Sequence, residues 1–280
     1  MRLQCGRHLL DLDQPIVMGI LNVTPDSFSD GGRHSSLPAA IERAQQMAAE
    51  GAAIIDVGGE STRPGAAEVA ADEELRRVIP VIERLAETLR VPISVDTRKP
   101  EVMRAAIAAG ASMVNDVGAL TAPGAIDAVA DSGVGLCLMH RQGEPRTMQQ
   151  APRYADVLAE VRGFLRERVA RCTGAGIARD RIAVDPGFGF GKTLYHNLAL
   201  LRGLSQIAAD GLPVLAGLSR KRMIVELTGR NDDDRLAGSL ALATLAALYG
   251  ARIVRAHDVG PTVAALRIVA AAVADQGSAG

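Results

Sequence analysis

Asn22, Asp56, Asp96, Asn115, His140, Asp185, Ser219 and the pair Arg255/His257 share one setting: each stands at the end of a short apolar run. An ionisable side chain beside a buried segment is costly unless it is paired or solvated. One such Asp is adequately explained as a helix N-cap; a whole series is not. The series holds two chemistries. Asn22, Asp56, Asp96, Asn115 and Asp185 are carboxylates and amides, which suit a ligand rich in N–H donors. A carboxylate takes two parallel N–H bonds from one planar edge. The 2-amino-4-oxo-pyrimidine edge of a guanine or a pterin is such a partner. The second chemistry is cationic. Arg255 and His257 are two apart on a strand and point to one side. Ser219-Arg220-Lys221-Arg222 runs toward a helix start, where oriented N–H groups favour an anion. Arg63 adds a further cation in a loop.

These residues need a frame that brings distant segments together. Eight β-branched runs supply it: Ile16–Asn22, Ala53–Gly58, Pro92–Thr97, Ser112–Val117, Val134–His140, Arg181–Pro186, Pro213–Ser219 and Arg252–His257. Their ends recur about every 34 residues, the length of one strand-plus-helix unit. Gly51, Gly110, Gly133, Gly176, Gly211 and Gly250 each sit between a helical stretch and the next strand, where a left-handed residue ends a helix. Leu75, Val78, Ile79, Ile82, Leu85 and Leu89 form one helical stripe, and Leu158, Val161, Leu165 and Val169 another. Pro38 and Pro100 fit first helical turns.

Eight such units predict a (β/α)8 TIM barrel, an α/β fold whose strand C-terminal mouth carries the chemistry. A doubly wound sheet would carry a glycine fingerprint after its first strand. Asn22-Val23-Thr24-Pro25-Asp26 is not one. Residues 1–280 read as a single domain with a barrel core at about 15–273, a short N-terminal lead and a loose tail after Asp275. Long segments after Asn22, after Gly58 and between His140 and Arg181 fit loops that serve the site.

Composition narrows the class. The chain has 280 residues, 48% of them hydrophobic, and a net charge of −1. That excludes a disordered chain and argues against nucleic acid or an anionic membrane as partner. Cys5, Cys137 and Cys172 have no paired spacing, so they make no disulfide framework and suit a reducing compartment. No apolar run is long enough for a signal peptide or a membrane span. A cytoplasmic enzyme is expected. Cys137 and Cys172 read as small core residues, and His8, His34 and His196 as surface or loop residues. His140 is open between lining the mouth and capping the next loop.

The segment Met18-Gly19-Ile20-Leu21-Asn22-Val23-Thr24-Pro25-Asp26-Ser27-Phe28-Ser29-Asp30-Gly31-Gly32 resembles the dihydropteroate synthase family of pterin-binding enzymes. So does Asp56-Val57-Gly58-Gly59-Glu60-Ser61-Thr62-Arg63-Pro64-Gly65. Ser94–Thr97, Asn115-Asp116, Asp185–Lys192, Ser219-Arg220-Lys221 and Arg255–Asp258 match at later strand ends. The resemblance covers Pro15 to Asp258. It implies that 6-hydroxymethyl-7,8-dihydropterin diphosphate and 4-aminobenzoate are joined to 7,8-dihydropteroate, with release of pyrophosphate, assistance from Mg2+, and sulfonamides as inhibitors of the class.

The resemblance also implies roles. Asp96, Asn115, Asp185 and Lys221 would hold the pterin, with Met139 lining its pocket and Thr62 beside it. Asn22 would contact the metal or the diphosphate, and Arg255 and His257 would clamp the diphosphate. Phe28, Thr62, Arg63, Pro64, Phe190, Ser219 and Lys221 would form the aminobenzoate pocket. Asp30 and Arg63 would pair when the first two loops close. Many relatives carry a serine where this chain has Arg222, which leaves only the backbone N–H there as an expected contact. Relatives are usually homodimers formed by helices of the C-terminal half, and Leu236–Leu248 is a candidate for that face. Two competitors are a methyltetrahydrofolate-dependent methyltransferase barrel and a catalytically silent pterin-binding homologue. The first would leave Arg255, His257 and the loop residues without a task. The second would show gaps among the loop or anion residues, and this chain has none.

Overall fold

A computed structural model describes residues 1–24, 36–61, 68–143, 147–229 and 235–273. Eight parallel strands form its centre. They are β3 (Ile16–Asn22), β4 (Ile54–Gly58), β5 (Ile93–Asp96), β6 (Met113–Asp116), β7 (Gly135–Met139), β8 (Ile182–Asp185), β9 (Val214–Ala216) and β10 (Ala251–Ala256). They close in the order β10-β3-β4-β5-β6-β7-β8-β9, so the barrel is the fold and the open sheet is not. Around it run α1 (Ser36–Ala49), α2 (Ala71–Thr88), α3 (Pro100–Ala108), α4 (Ala125–Val129), α5 (Val157–Gly174), α6 (Leu194–Arg202), α7 (Leu204–Ala208), α8 (Arg222–Thr228), α9 (Leu236–Leu248) and α10 (Val259–Val273).

The expected stripes are the buried faces. Val78, Ile82 and Leu85 of α2 are wholly buried, and Asp72, Glu73 and Glu74 occupy its first turn, where negative charge suits the helix dipole. Helix α5 starts where the Asp156 carboxylate accepts from Leu158 N and Ala159 N. Each expected helix-ending glycine has positive φ. At Gly110, with φ +108°, a Cβ would also stand 2.6 Å from the Ala86 methyl, so glycine is required on two counts.

Two expectations need correction. The N-terminal lead is not a mere lead. It forms β1 (Arg2–Cys5) and β2 (His8–Asp11), an antiparallel hairpin turned at Gly6, which has φ +56°. Leu3, Cys5 and Leu12 are fully buried against Met18, Ile54, Met113, Cys137, Ala183, Leu215 and Ile253. The hairpin therefore closes the end of the barrel opposite the mouth, so the core begins before residue 15. Each strand has only four residues, too few for a period to be legible. The second correction is to the seventh barrel strand, expected to reach Ser219. It stops at Ala216, which places Ser219 in a turn. The expected tail from Asp275 lies outside the described residues.

Candidate active site at the barrel mouth

Side chains along a strand alternate faces with a period of two, and this period stacks the site on the core. Met18, Ile54, Met113, Cys137, Ala183, Leu215 and Ile253 make a dry lower layer inside the barrel. Two residues further along the same segments come Ile20, Asp56, Asn115, Met139, Asp185, Gly217 and Arg255. Asp96 follows Ser94 in the same way on β5. The outward residues between them, such as Ile55, Val95, Val114, Leu138, Val184 and Val254, pack in the outer core with the helices.

Arg255 ties the polar layer together. Its Nε donates to Asp56 Oδ2 at 2.6 Å and its Nη2 donates to Asp96 Oδ2 at 2.8 Å. Asn115 Nδ2 donates to the same Asp56 oxygen at 3.0 Å. Burial opposes the charge on Arg255, but Asp56 and Asp96 outweigh it and raise its pKa. Asp96 is raised instead, first by burial and then by the neighbouring Asp56 charge, with Arg255 pulling it back. Oδ1 of Asp56 and Oδ1 of Asp96 are buried with no hydrogen-bond partner. Buried carboxylate oxygens without partners are expensive, so this layer is arranged to receive donors from a ligand.

Asp185 stands across the mouth. Its Oδ1 accepts from Gly187 N at 2.7 Å. Burial raises its pKa to about 6, against the pull of that bond and of Lys221, Lys192 and Arg255. Its Oδ2 faces Gly217, which leaves the space beside it open. Gly187 has φ +70°, and a Cβ there would collide with the His140 carbonyl at 1.8 Å. Only glycine lets the loop after β8 turn over the end of β7. Met139 is paired with Asp185 in register and almost fully buried.

Lys221 approaches from the turn after β9. Its Nζ lies 4.2 Å from the centroid of the Phe190 ring, a cation–π arrangement. Burial lowers its pKa to about 8, with Asp185 opposing the shift. Ser219 Oγ lies 3.0 Å from His257 Nδ1 and accepts from His257 N at 3.2 Å. Asn22 ends β3 beside Gly58, where its Oδ1 and the Asp96 Oδ2 are 3.7 and 3.9 Å from the position a Cβ would take.

Asp96, Asn115, Met139, Asp185, Lys221 and Arg255 thus meet at one mouth, with Asn22, Phe190, Ser219 and His257 on its rim. Arg255, expected at the diphosphate, already spends Nε and one Nη2 donor on carboxylates, leaving its other N–H groups for an anion. Phe28, Asp30, Thr62, Arg63 and Pro64 lie outside the described residues. His140 neither lines the mouth nor caps a loop. It is buried, edge-on to Phe164, with Nδ1 3.0 Å from Lys192 Nζ. Burial and Lys192 lower its pKa to about 3, so it is neutral. His196 is a cap residue, reciprocating with Thr193 at the start of α6. Arg222 opens α8 and points to solvent, paired with Glu226 at 2.7 Å.

Sequence reasoning assigns no role to Lys192, and it counts Asp56 among the acceptors at the strand ends without foreseeing its pairing with Arg255. Lys192 Nζ donates to the Phe190 carbonyl at 3.0 Å, and burial lowers its pKa to about 7. Nothing local in the sequence marks it as buried. Asp56 is legible by the same two-residue step as its neighbours.

The chain matches the family model described as "Pterin binding enzyme" over residues 18–257. It is 56% identical over 262 residues to the dihydropteroate synthase of Escherichia coli K12, covering 94% of this chain and 93% of that one. It superimposes on Xanthomonas albilineans dihydropteroate synthase with 4-aminobenzoic acid at a TM-score of 0.92 and 56% identity, covering 98% of each chain. The same enzyme in complex with 7,8-dihydropteroate gives a TM-score of 0.90 and 53% identity, covering 98% of this chain and 100% of that one.

Proposed function

We infer the division of labour from one premise: this chain belongs to the pterin-binding enzyme family, among the dihydropteroate synthases. It condenses 6-hydroxymethyl-7,8-dihydropterin diphosphate with 4-aminobenzoate, giving 7,8-dihydropteroate and pyrophosphate. The observation that carries the assignment of roles is the set of partnerless carboxylate oxygens on Asp56 and Asp96, beside Asp185. They accept the N–H donors of the pterin's pyrimidine edge, with Asn115 supplying an amide and Met139 an apolar wall. Lys221 and Phe190 border the pterin on the side where aminobenzoate enters.

The bond that breaks joins the pterin methylene carbon to the diphosphate oxygen. The remaining guanidinium donors of Arg255, with His257, stabilise negative charge on the leaving oxygen. The dihydropterin ring shares the positive charge left on the methylene. The amine nitrogen of 4-aminobenzoate then forms the new C–N bond and loses a proton. Phe28, Thr62, Arg63 and Pro64 are assigned to the aminobenzoate pocket with Phe190, Ser219 and Lys221, and Asp30 to a charge pair with Arg63.

The donor chemistry fits Mg2+ in one way. Among the described residues no three His, Cys, Asp or Glu side chains gather to hold a metal. Asn22 offers one neutral amide oxygen. A Mg2+ held mainly by diphosphate oxygens and water needs no more than that. When bound, it neutralises charge on the leaving group.

A homodimer is proposed through α9 and α10, on which Leu245, Leu248, Ile268 and Val273 are exposed. A second copy would cover them. The cytoplasm is proposed on three buried, free cysteines. Among the described residues no helix is long and apolar enough to cross a membrane.

A coupled pyrophosphate assay tests the assignment. Release is expected only with both substrates and Mg2+ present. No release under those conditions rejects it.

A further inference from the structure

The turn that carries Ser219 and Lys221 is held in a conformation its middle residue does not favour. Arg220 has φ +56°, a left-handed backbone that glycine adopts freely and arginine does not. Such strain persists only where the surroundings impose it. Here they do so from two sides. Ser239 of α9 accepts from Arg220 N at 2.9 Å through its Oγ, and Arg235 Nη1 donates to the Arg220 carbonyl at 2.9 Å. The guanidinium of Arg220 grips Asp258 with two parallel bonds, Nε to Oδ2 at 3.1 Å and Nη2 to Oδ1 at 2.6 Å. Asp258 directly follows His257, whose ring meets Ser219 at 3.0 Å. The exits of β9 and β10 are therefore laced together twice, once through Ser219 and His257, and once through Arg220 and Asp258.

We propose that Asp258 is a positioning residue: through Arg220 it holds the left-handed turn that aims Ser219 and Lys221 into the mouth. Neither Asp258 nor Ser239 needs to touch substrate in this scheme. A backbone flip at residue 220 would relieve the strain and would move the flanking Ser219 and Lys221 side chains together. The effect is thus expected chiefly on aminobenzoate use, because Ser219 and Lys221 are both assigned to that pocket, while only Lys221 also serves the pterin.

The test is a contrast at residue 220. Asp258→Ala is expected to lower kcat/KM for 4-aminobenzoate about tenfold, equivalent to about 1.4 kcal/mol, mainly through KM. Adding Arg220→Gly should recover most of that loss, since glycine takes positive φ without strain. Adding Arg220→Ala should recover none. A loss that arose only from the start of α10, where Asp258 also sits, would ignore the choice at residue 220. A guanidinium that touched substrate would leave both double variants equally poor. Equal behaviour of Gly and Ala, whether both recover or neither does, overturns the proposal. It rests on the assignment of Ser219 and Lys221 to aminobenzoate. That assignment fails separately if Lys221→Ala spares aminobenzoate use.

Discussion

Arg255 Nε donates to Asp56 Oδ2 across 2.6 Å, while the other oxygen of Asp56 is buried and has no partner. The pair is complete enough to hold the guanidinium in place and incomplete enough to accept a ligand. An ion pair of this kind is weak evidence for stability, but removing one member leaves the other charged and buried.

Asp56→Asn should therefore destabilise the free protein by about 3 kcal/mol. It removes the charge that balances Arg255 and spoils the acceptor used by Asn115. Denaturant unfolding would show the loss as a lower midpoint with an unchanged slope. A midpoint equal to wild type would mean that Arg255 is satisfied by Asp96 alone.

Asp185→Asn should weaken pterin binding by about 2–4 kcal/mol. An amide presents one acceptor and an unwanted donor to the pyrimidine edge. Calorimetry with a pterin analogue measures it directly, and near-unchanged affinity would remove Asp185 from the pocket.

Pterin binding should be strongest between about pH 7 and about pH 8. Asp96 and Asp185 must ionise to accept N–H bonds, and burial raises their pKa values to about 7 and about 6. Lys221 loses its proton at about 8. Binding below pH 6 should release a proton, seen as a dependence of calorimetric heat on buffer. The stability of the free protein runs the other way. The Asp185 pKa rises from 3.8 to about 6 on folding, so the folded state binds more protons between those values. Stability from this group is full below the lower value and is lost as pH rises through the upper one. An affinity that stays flat from pH 5 to 9 would contradict the carboxylate role.

Phe28→Ala and Arg63→Ala should harm 4-aminobenzoate use more than pterin binding, because the pterin partners lie on or just after strands and these two residues come from loop sequence. Loops can complete a second pocket after the first substrate docks. Pterin-analogue binding should stay nearly intact while KM for aminobenzoate rises or kcat falls. Equal loss of both would place these residues in the first pocket.

Leu12→Ala should lower stability by about 2–5 kcal/mol, the range for a large-to-small change in a packed core. Leu12 is fully buried beneath the barrel, away from the mouth. Thermal unfolding should report the loss, with kcat and KM unchanged at temperatures where the variant is folded. A shift in KM would link the hairpin to the site.

The eight strands and most of the polar layer are legible in the sequence because both obey local rules. A run of apolar residues marks a buried strand wherever it folds, and a polar residue closing such a run is costly without a partner. Asp96, Asn115, Asp185 and Arg255 stand out on that ground alone. The hairpin of residues 2–11 is not legible, since two strands of four residues carry no readable period and their burial depends on a barrel that other segments build. His140 stays open for the same reason: whether a histidine at a strand end faces the mouth or a buried lysine depends on Lys192, fifty-two positions away.

The amino-acid order by itself determined the alternation of strand and helix, and hence which residues end each strand. It also determined the two-residue step that raises Asp56, Asn115, Asp185 and Arg255 above an apolar layer. Tertiary structure alone decided the pairing of those ends. Arg255 and Asp56 are 199 positions apart, and no periodicity along the chain says which distant ends will meet. The closure of the barrel sets that. It brings β10 beside β3 and places the Arg255 guanidinium within reach of carboxylates on β4 and β5. It also sets the left-handed turn at Arg220, because that strain is imposed by partners from α9 and from the exit of β10 rather than by any preference of the residue itself.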